Sequence, residues 1–184
     1  CGGAFSYFSG THSQWTEAFG ADLFIFFANN GGFSALGEAE VGGNYCFANL
    51  WYFQSSQTGW VVAHEIGHTF GGGHDAGYGN GLEPYSNAYL WNNGSHDYYT
   101  TIADGSHGNQ YRIPYLSSPN QLYDNHPIGI PPFLPGGDPN PNGADNRLTA
   151  EDYISTVVNR ESQSSFLWSG SDVQANGLHE LSWF

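Results

Sequence analysis

Three histidines in a short segment are spaced so that they can share one metal ion, and a glutamate follows the first of them. The segment reads HEIGHTFGGGH, and its first two histidines, His64 and His68, stand four residues apart on one face of a helix. Two imidazoles placed in this way can bind one zinc ion, and Glu65 can take a proton from water that the metal activates. Gly71 can break the helix in a conformation that other residues resist, which returns His74 as a third ligand. Three protein ligands leave an open position for water, as in a catalytic zinc site.

A helix predicted from Thr58 to Phe70 must carry this segment. Its apolar side chains recur every three or four residues, which is the helical spacing, and a run of three glycines stops it. Upstream, hydrophobic segments bounded by glycine and asparagine predict three strands, the second of them at a sheet edge. These strands are Ala21–Phe27, Gly32–Glu40 and Tyr45–Phe53.

The region that follows the metal-binding segment, residues 75–147, is rich in glycine, proline and asparagine and nearly free of a regular pattern. A loop region of this length is usually either functional or disordered. A last helix is predicted with Thr149 as N-cap and Asp152 as its capping-box partner, because four apolar side chains follow on one face. Those side chains are Tyr153, Ile154, Val157 and Val158.

The charge balance excludes some classes of partner. Three arginines and no lysine stand against 17 acidic residues, which gives a formal net charge of −14. We therefore expect no nucleic acid and no anionic membrane as a partner, since both require a basic patch. No apolar run reaches the about 18 residues that a membrane span needs.

The composition suits a secreted or cell-surface protein. Cys1 and Cys46 allow one disulfide, which an oxidising compartment permits, or both can be unpaired, or Cys1 can join a partner outside the chain. The sequence starts with Cys rather than Met, which is typical of a processed or excerpted chain and also of a lipidated bacterial cysteine.

The motif resembles that of a known family. HEIGHTFGGGHD matches the long zinc-binding signature of the metzincin metallopeptidases, and Asp75 after the third histidine resembles the adamalysin/reprolysin-like branch, particularly its secreted bacterial members. GADLFIFF resembles the family's central strand, and residues 32–37 resemble the edge strand that pairs with substrate. RIPYLSSPN and GADNRLTAEDYISTVVNR resemble the stretch leading to its C-terminal helix, so the likeness covers roughly residues 15–160.

The resemblance implies an α+β, metzincin-like zincin fold. Its parts are a mostly parallel twisted sheet with an antiparallel edge strand, an active-site helix, and a loop-rich C-terminal subdomain with one C-terminal helix. It implies a catalytic domain over residues 1–160, divided into an N-terminal subdomain (1–74) and a C-terminal subdomain (75–160). Residues 161–184 are then an arm or a linker.

The resemblance also implies an activity. The chain is expected to be a secreted zinc-dependent metalloendopeptidase that hydrolyses peptide bonds of proteins with a zinc-activated water. One catalytic Zn²⁺ would be held by His64, His68 and His74, with Glu65 as general base. An extended substrate would add a strand along the edge formed by Phe33, Ser34, Ala35 and Leu36. By resemblance, the pocket wall beyond the cleaved bond would come from Arg112, Ile113, Pro114 and Tyr115.

Two departures from the family pattern stand out. The family places a methionine-containing turn below the metal, but Ala103 stands where the methionine is expected and Gly105 where a tyrosine is expected. The methionine is a hydrophobic floor and not a ligand, so its loss brings the rigidity and affinity of the zinc site into question first. Only about 20 residues precede the central strand, too few for the family's first strand and long helix. The N-terminal part is therefore expected to be truncated or completed by other domains or chains.

Two alternatives stay open from the sequence. Asp138, Asn140 and Asn142 fit the first half of a Ca²⁺-binding loop, although Thr149 replaces the bidentate glutamate, and an ordinary turn is the competing interpretation. For the whole chain, the alternative to a peptidase is a non-catalytic, zinc-stabilised adhesion or peptide-binding module in a larger extracellular assembly. Glu65 favours the enzyme, because a structural zinc site has no use for a carboxylate at that position.

Overall fold

A computed structural model describes residues 19–28, 35–50, 58–78, 80–104 and 111–158 of the chain. None of the described helices is long and apolar enough to cross a membrane. The described elements mix helix and strand, which is an α+β content. In chain order they are β1 (Phe24–Ala28), β2 (Gly37–Ala39), β3 (Tyr45–Asn49), α1 (Thr58–Thr69), β4 (Leu90–Asn92), β5 (Asp97–Tyr99), β6 (Tyr111–Arg112), β7 (Ser118–Tyr123), β8 (His126–Ile128) and α2 (Asn146–Val158).

The first three strands form one sheet in the order β1-β3-β2. β3 is the central strand and is buried along its whole length, as its run of apolar residues requires. It pairs with β1 in parallel and with β2 in antiparallel orientation. Phe26, Tyr45 and Phe47 form the apolar cluster on this sheet. Because the described sheet holds one parallel and one antiparallel pair, a mostly parallel sheet stays a prediction.

The strands are shorter than the hydrophobic segments that predicted them. β1 begins three residues later than Ala21, β2 covers only the last part of the predicted edge strand, and β3 ends at Asn49. Residues 29–34 and 51–57, which include parts of the predicted second and third strands, lie outside the described residues. α1 ends one residue before the predicted Phe70, in agreement with the glycine signal.

The prediction that residues 75–147 lack regular structure is wrong. Two small sheets lie in this region, one with the strand order β4-β5-β6 and one made by β7 and β8. Their strands are mostly two or three residues long, too short to show a period of two in the sequence. They enclose a second apolar cluster of Trp91, Ile113 and Ile128.

The N-cap of α2 is Asp145 and not the predicted Thr149. The Leu148 N–H donates to Asp145 Oδ1 at 3.1 Å, and the Thr149 N–H donates to the Asp145 carbonyl at 3.3 Å. Thr149 is buried inside the helix, where its hydroxyl lies 2.7 Å from the Ser86 hydroxyl. Because the Thr149 hydroxyl bonds to a buried partner within the helix, it does not cap the first turn of α2.

Candidate metal centre and active-site cleft

His64, His68 and His74 converge on one point. Each pair of their Nε2 atoms is 3.1 Å apart, so the three nitrogens form an equilateral triangle. Nitrogen ligands of a tetrahedral zinc ion, each about 2.0–2.1 Å from the metal, lie about 3.3–3.4 Å from one another. The triangle therefore fits a zinc ion closely. Among the His, Cys, Asp and Glu side chains of the described residues, these three histidines form the group that can hold a metal ion.

The glycine turn after α1 brings the third histidine to the other two. Gly71 has a φ of +90°, a conformation that side chains other than that of glycine resist. The Gly71 N–H donates to the His68 carbonyl at 2.8 Å, and the Gly72 N–H donates to the Gly67 carbonyl at 3.1 Å. These bonds close the end of the helix and reverse the chain, as the sequence predicted.

Each histidine has a polar partner on Nδ1, the ring nitrogen that faces away from the triangle. His64 Nδ1 lies 3.0 Å from the Thr101 carbonyl, and His68 Nδ1 lies 2.8 Å from the Gly72 carbonyl. His74 Nδ1 lies 3.0 Å from Nδ2 of the Asn80 side chain. Such outer partners set the orientation and the tautomer of metal-binding imidazoles.

The three rings are neutral at pH 7. Burial, first of all, lowers the pKa of His64 to about 3 and that of His68 to about 4, with the neighbouring ring charges adding to the effect. Burial also lowers the pKa of His74, against the opposing charges of Asp104 and Asp75. Since a metal ion binds only the neutral imidazole, no charged ring has to lose a proton before metal binds at neutral pH.

Glu65 is buried next to the triangle, with only 6% of its surface exposed. Burial raises its pKa to about 8, and the charge of Glu38 adds to this rise while Arg112 opposes it. Gly37 of β2 provides the room for this carboxylate, because a Cβ atom at residue 37 would lie 2.5 Å from Glu65 Oε1. The edge strand therefore touches the candidate general base through its backbone.

Ile102 forms an apolar floor below α1, next to Ala103 in the chain. Its Cδ1 would lie 2.5 Å from a Cβ atom on either Gly67 or Gly72, so both glycines are needed for it to fit below α1. Ala103 itself is fully buried, and Gly105 lies outside the described residues. Arg112 braces this turn by donating to the carbonyls of Thr101 and Ala103, at 3.1 and 3.4 Å.

A cleft of about 440 Å³ opens over the three histidines. Two of the predicted substrate-binding residues on the edge strand, Ala35 and Leu36, line it, whereas Phe33 and Ser34 lie outside the described residues. The cleft is also lined by residues that the sequence did not single out. These are Gly37, Glu38, Ala39, Val41, Val61, Asn80 and Asp104. The alternation of side chains along the edge strand could have indicated Gly37, Glu38 and Ala39, but no local sequence pattern indicates Asn80 or Asp104.

Of the four residues predicted for the far pocket wall, Arg112 lines the cleft. Ile113 is only 1% exposed and packs in the apolar cluster with Trp91. Pro114 lines a different cavity, of about 490 Å³, between α1 and α2. Tyr115 is exposed and its ring packs against Tyr123. Of the four, Arg112 is therefore the one that the structure places in the cleft, and a pocket wall that includes the other three stays a prediction.

Comparison with known proteins agrees with this geometry. A family model described as metallo-peptidase family M12 matches residues 4–111. The chain belongs to this family. Searches of the curated proteins and of the solved structures find no significant match.

The M12 match covers the edge strand, α1 and all three histidines, but it ends before α2. α2 nevertheless contributes to the metal centre of this metallopeptidase, since Asn146 in its first turn contacts Gly73 beside the third histidine. The part of the chain that builds the centre therefore extends beyond the matched residues.

The predicted Ca²⁺ loop of this metallopeptidase is a tight turn. Asn140 Oδ1 accepts a hydrogen bond from the Asn142 N–H at 3.0 Å, and Asn140 Nδ2 donates to the Pro131 carbonyl at 2.9 Å. Asp138 is exposed. Because both polar atoms of Asn140 already serve the turn, the structure adds no support for Ca²⁺, and the loop stays a prediction.

Proposed function

We propose that this chain is a secreted zinc endopeptidase of the adamalysin/reprolysin-like branch. His64, His68 and His74 would hold one zinc ion, and Glu65 would be the general base. The observation that carries the proposal is the triangle of Nε2 atoms, 3.1 Å on each side, which lies in an open cleft beside a buried glutamate. A structural zinc site has no need for either the cleft or the glutamate.

The chemistry follows from these groups. A zinc ion held by the three imidazoles would polarise a carbonyl oxygen and lower the pKa of a water molecule to about 7. Glu65 takes the proton from the attacking water and passes it to the nitrogen of the departing amine. Its carboxyl is placed to carry a proton in both directions, because it lines the cleft together with the three histidines.

The substrate would lie extended along β2. Among the described residues, β2 pairs with β3 alone, so its outer edge is open to an added strand. Ala35, Leu36 and Gly37 line the cleft at this edge, so a peptide paired there passes over the metal centre.

The charge of the cleft supports a preference against acidic substrates. Glu38 and Asp104 line it, against Arg112 as the cationic side chain among its described lining residues, while burial favours the neutral form of the third acidic residue, Glu65. With a net charge of −14, the chain as a whole repels anions. Basic or neutral peptides are therefore the proposed substrates.

The proposal includes a zinc site that does without the family's methionine; the floor below α1 that Ile102 forms and the bond from Arg112 to the turn support it. The division into a catalytic domain over residues 1–160, with subdomains meeting at residue 74, also belongs to the proposal. The secreted location rests on the composition described above, which has no lysine and three arginines against 17 acidic residues.

Cleavage of a quenched peptide library by the purified chain tests the proposal. The assay includes added zinc, a chelator, the Glu65→Gln variant and, as a matched control, the Glu83→Gln variant at an exposed position. We expect cleavage that the chelator abolishes and zinc restores, a loss in Glu65→Gln with zinc still bound, and no loss in Glu83→Gln. Zinc bound in stoichiometric amount without any cleavage would contradict the peptidase and leave the non-catalytic module.

A further inference from the structure

The outer partners of the three histidines differ in kind. His64 and His68 face main-chain carbonyls through Nδ1, at 3.0 and 2.8 Å. His64 Nδ1 has a second, longer contact of 3.4 Å with Nη1 of Arg112, which itself donates to the same Thr101 carbonyl at 3.1 Å. A carbonyl can only accept, so in both rings Nδ1 carries the hydrogen and Nε2 presents a lone pair to the centre of the triangle. This is the tautomer that binds a metal through Nε2.

His74 faces a side chain, and the orientation of that side chain is determined by its second contact. The His74 main-chain N–H donates to Asn80 Oδ1 at 2.9 Å. A backbone N–H can only donate, so the oxygen of the amide must face it, which leaves Asn80 Nδ2 facing the ring at 3.0 Å. Since Nδ2 also can only donate, His74 Nδ1 is the acceptor. The neutral His74 ring therefore carries its hydrogen on Nε2, toward the two other Nε2 atoms.

We propose that Asn80 is a positioning residue that holds the third ligand, His74, in the tautomer that does not bind a metal. Before metal enters, the Nε2 hydrogen of His74 bonds to the lone pairs of its two neighbours, 3.1 Å away. For metal to bind, His74 must release the Nε2 hydrogen to water and take one from water on Nδ1. No proton is gained or lost overall, but the Asn80 amide must then turn away from the ring.

The surrounding backbone leaves Asn80 little room to withdraw. A Cβ atom on Gly73 would lie 2.7 Å from the Gly81 nitrogen, so the two chain segments that flank His74 and Asn80 are in contact. The Leu82 N–H adds a bond to the Gly71 carbonyl at 3.0 Å. The amide can therefore respond by rotating about its side-chain bonds, while the segment itself stays in place.

A carboxylate at residue 80 would remove the conflict. Its two oxygens can accept from the His74 N–H and from His74 Nδ1–H together, which is the pattern that strengthens a histidine ligand. We therefore expect Asn80→Asp to bind zinc about 10-fold more tightly than the unmodified chain, and Asn80→Ala, which releases the His74 main chain, to bind it about 10-fold less tightly. The proposal rests on the proposed function only in taking the three histidines as the metal ligands.

The first test is the tautomer of each ring in the metal-free chain. Long-range ¹⁵N–¹H NMR spectra of ¹⁵N-histidine-labelled protein distinguish Nδ1–H from Nε2–H rings, and the His64→Asn, His68→Asn and His74→Asn variants assign the signals. We expect Nε2–H in His74 and Nδ1–H in His64 and His68. The Nδ1–H tautomer in His74 of the metal-free chain would overturn the proposal.

The second test is zinc affinity, measured by competition with a chromophoric chelator for the unmodified chain, Asn80→Asp and Asn80→Ala. Asn120→Asp makes the same chemical change at an exposed position in β7 and is expected to change affinity less than about twofold. Equal affinities of Asn80→Asp and Asn120→Asp would overturn the proposal. An unmodified chain that binds no zinc would instead contradict the proposed function, while the tautomer measurement on the metal-free chain would still test Asn80.

Discussion

Asn146 forms two hydrogen bonds with Gly73, the residue immediately before the third histidine. Asn146 Nδ2 donates to the Gly73 carbonyl at 3.0 Å, and the Gly73 N–H donates to Asn146 Oδ1 at 3.1 Å. Asn146 is only 1% exposed, so water does not compete for either bond. The first turn of α2 thereby holds the loop that delivers His74 to the metal centre.

Replacing Asn146 by alanine leaves the N–H and the carbonyl of Gly73 buried without partners. We expect Asn146→Ala to lower the free energy of unfolding by about 2–6 kcal/mol and to weaken zinc binding, because each of the two unmade buried bonds costs about 1–3 kcal/mol. Chemical denaturation and chelator competition measure the two effects. Asn120→Ala, on the exposed side of β7, is the matched control and should change neither. We call the two bonds between Asn146 and Gly73 the clamp. An Asn146→Ala chain as stable as the control would contradict its role.

Gly37 is expected to matter for catalysis and not for metal binding. In Gly37→Ala the new methyl group would meet Glu65, 2.5 Å from Oε1, and the carboxylate must move. We expect peptide cleavage to fall about 100-fold, since a displacement of about 1 Å of a catalytic group has an effect of this order. Zinc affinity, measured on the same sample, should stay within about twofold because Gly37 touches Glu65 rather than the ligands. Unchanged cleavage would show that Glu65 is not the general base, or not in this position.

Restoring the family's methionine is expected to harm this chain. Ala103 is fully buried, and Ile102 already fills the floor, so Ala103→Met would overpack the core. We expect a loss of about 1–3 kcal/mol in the free energy of unfolding and no gain in zinc affinity. Ala150→Met adds the same side chain beside the 490 Å³ cavity between the helices and should cost less. A rise in both stability and zinc affinity in Ala103→Met would contradict the assignment of the floor to Ile102.

Arg112 is expected to act through the turn that it braces. Its guanidinium binds the carbonyls of Thr101 and Ala103 together, and the carbonyl of Thr101 in turn orients His64. A lysine has the charge but cannot reach both carbonyls in this planar geometry. We expect Arg112→Lys to weaken zinc binding about 10-fold, as the loss of an outer partner does in other metal sites.

The control for this change is Arg147→Lys, which alters an exposed ion pair with Glu151. Such a surface pair contributes about 0–1 kcal/mol, so zinc affinity should not change. If the two arginine variants bind zinc equally well, the brace is not needed for the site.

The raised pKa of Glu65 predicts how the stability of the metal-free chain depends on pH. The pKa is about 8 in the folded chain, against an ordinary value of 4.5. Between these values the folded chain binds more protons than the unfolded chain, so the free energy of unfolding falls as the pH rises from about 5 to about 8. The difference between the unmodified chain and Glu65→Gln, measured by denaturation in chelator at several pH values, isolates this contribution. A difference that does not vary with pH would contradict the buried, protonated carboxyl.

The parts of the site that the sequence predicted are those with local spacing. The four-residue interval between His64 and His68 and the three glycines after them specify α1, its end and the return of His74 within a few turns of chain. The M12 match and the three-histidine group support this part of the interpretation.

The parts that the sequence did not predict depend on distant contacts. Asn80 and Asn146 reach the metal-binding segment from 6 and 73 residues away, and neither has a neighbour whose spacing reveals it. Thr149 and Asp145 are both good N-caps by type, and the choice between them follows from the buried bond of Thr149 to Ser86. Local patterns contain no information about such a partner.

The clamp between Asn146 and Gly73 also sets the order of events during synthesis. Because 73 residues separate the two partners, a ribosome working at about 5–20 residues per second needs about 4–15 s to deliver Asn146 after Gly73. Throughout that interval the histidines have already been made but the loop that carries the third one has nothing from α2 to hold it. We expect the nascent chain to be a weak metal binder and an inactive enzyme until α2 has been made, which protects the proteins around it during that interval.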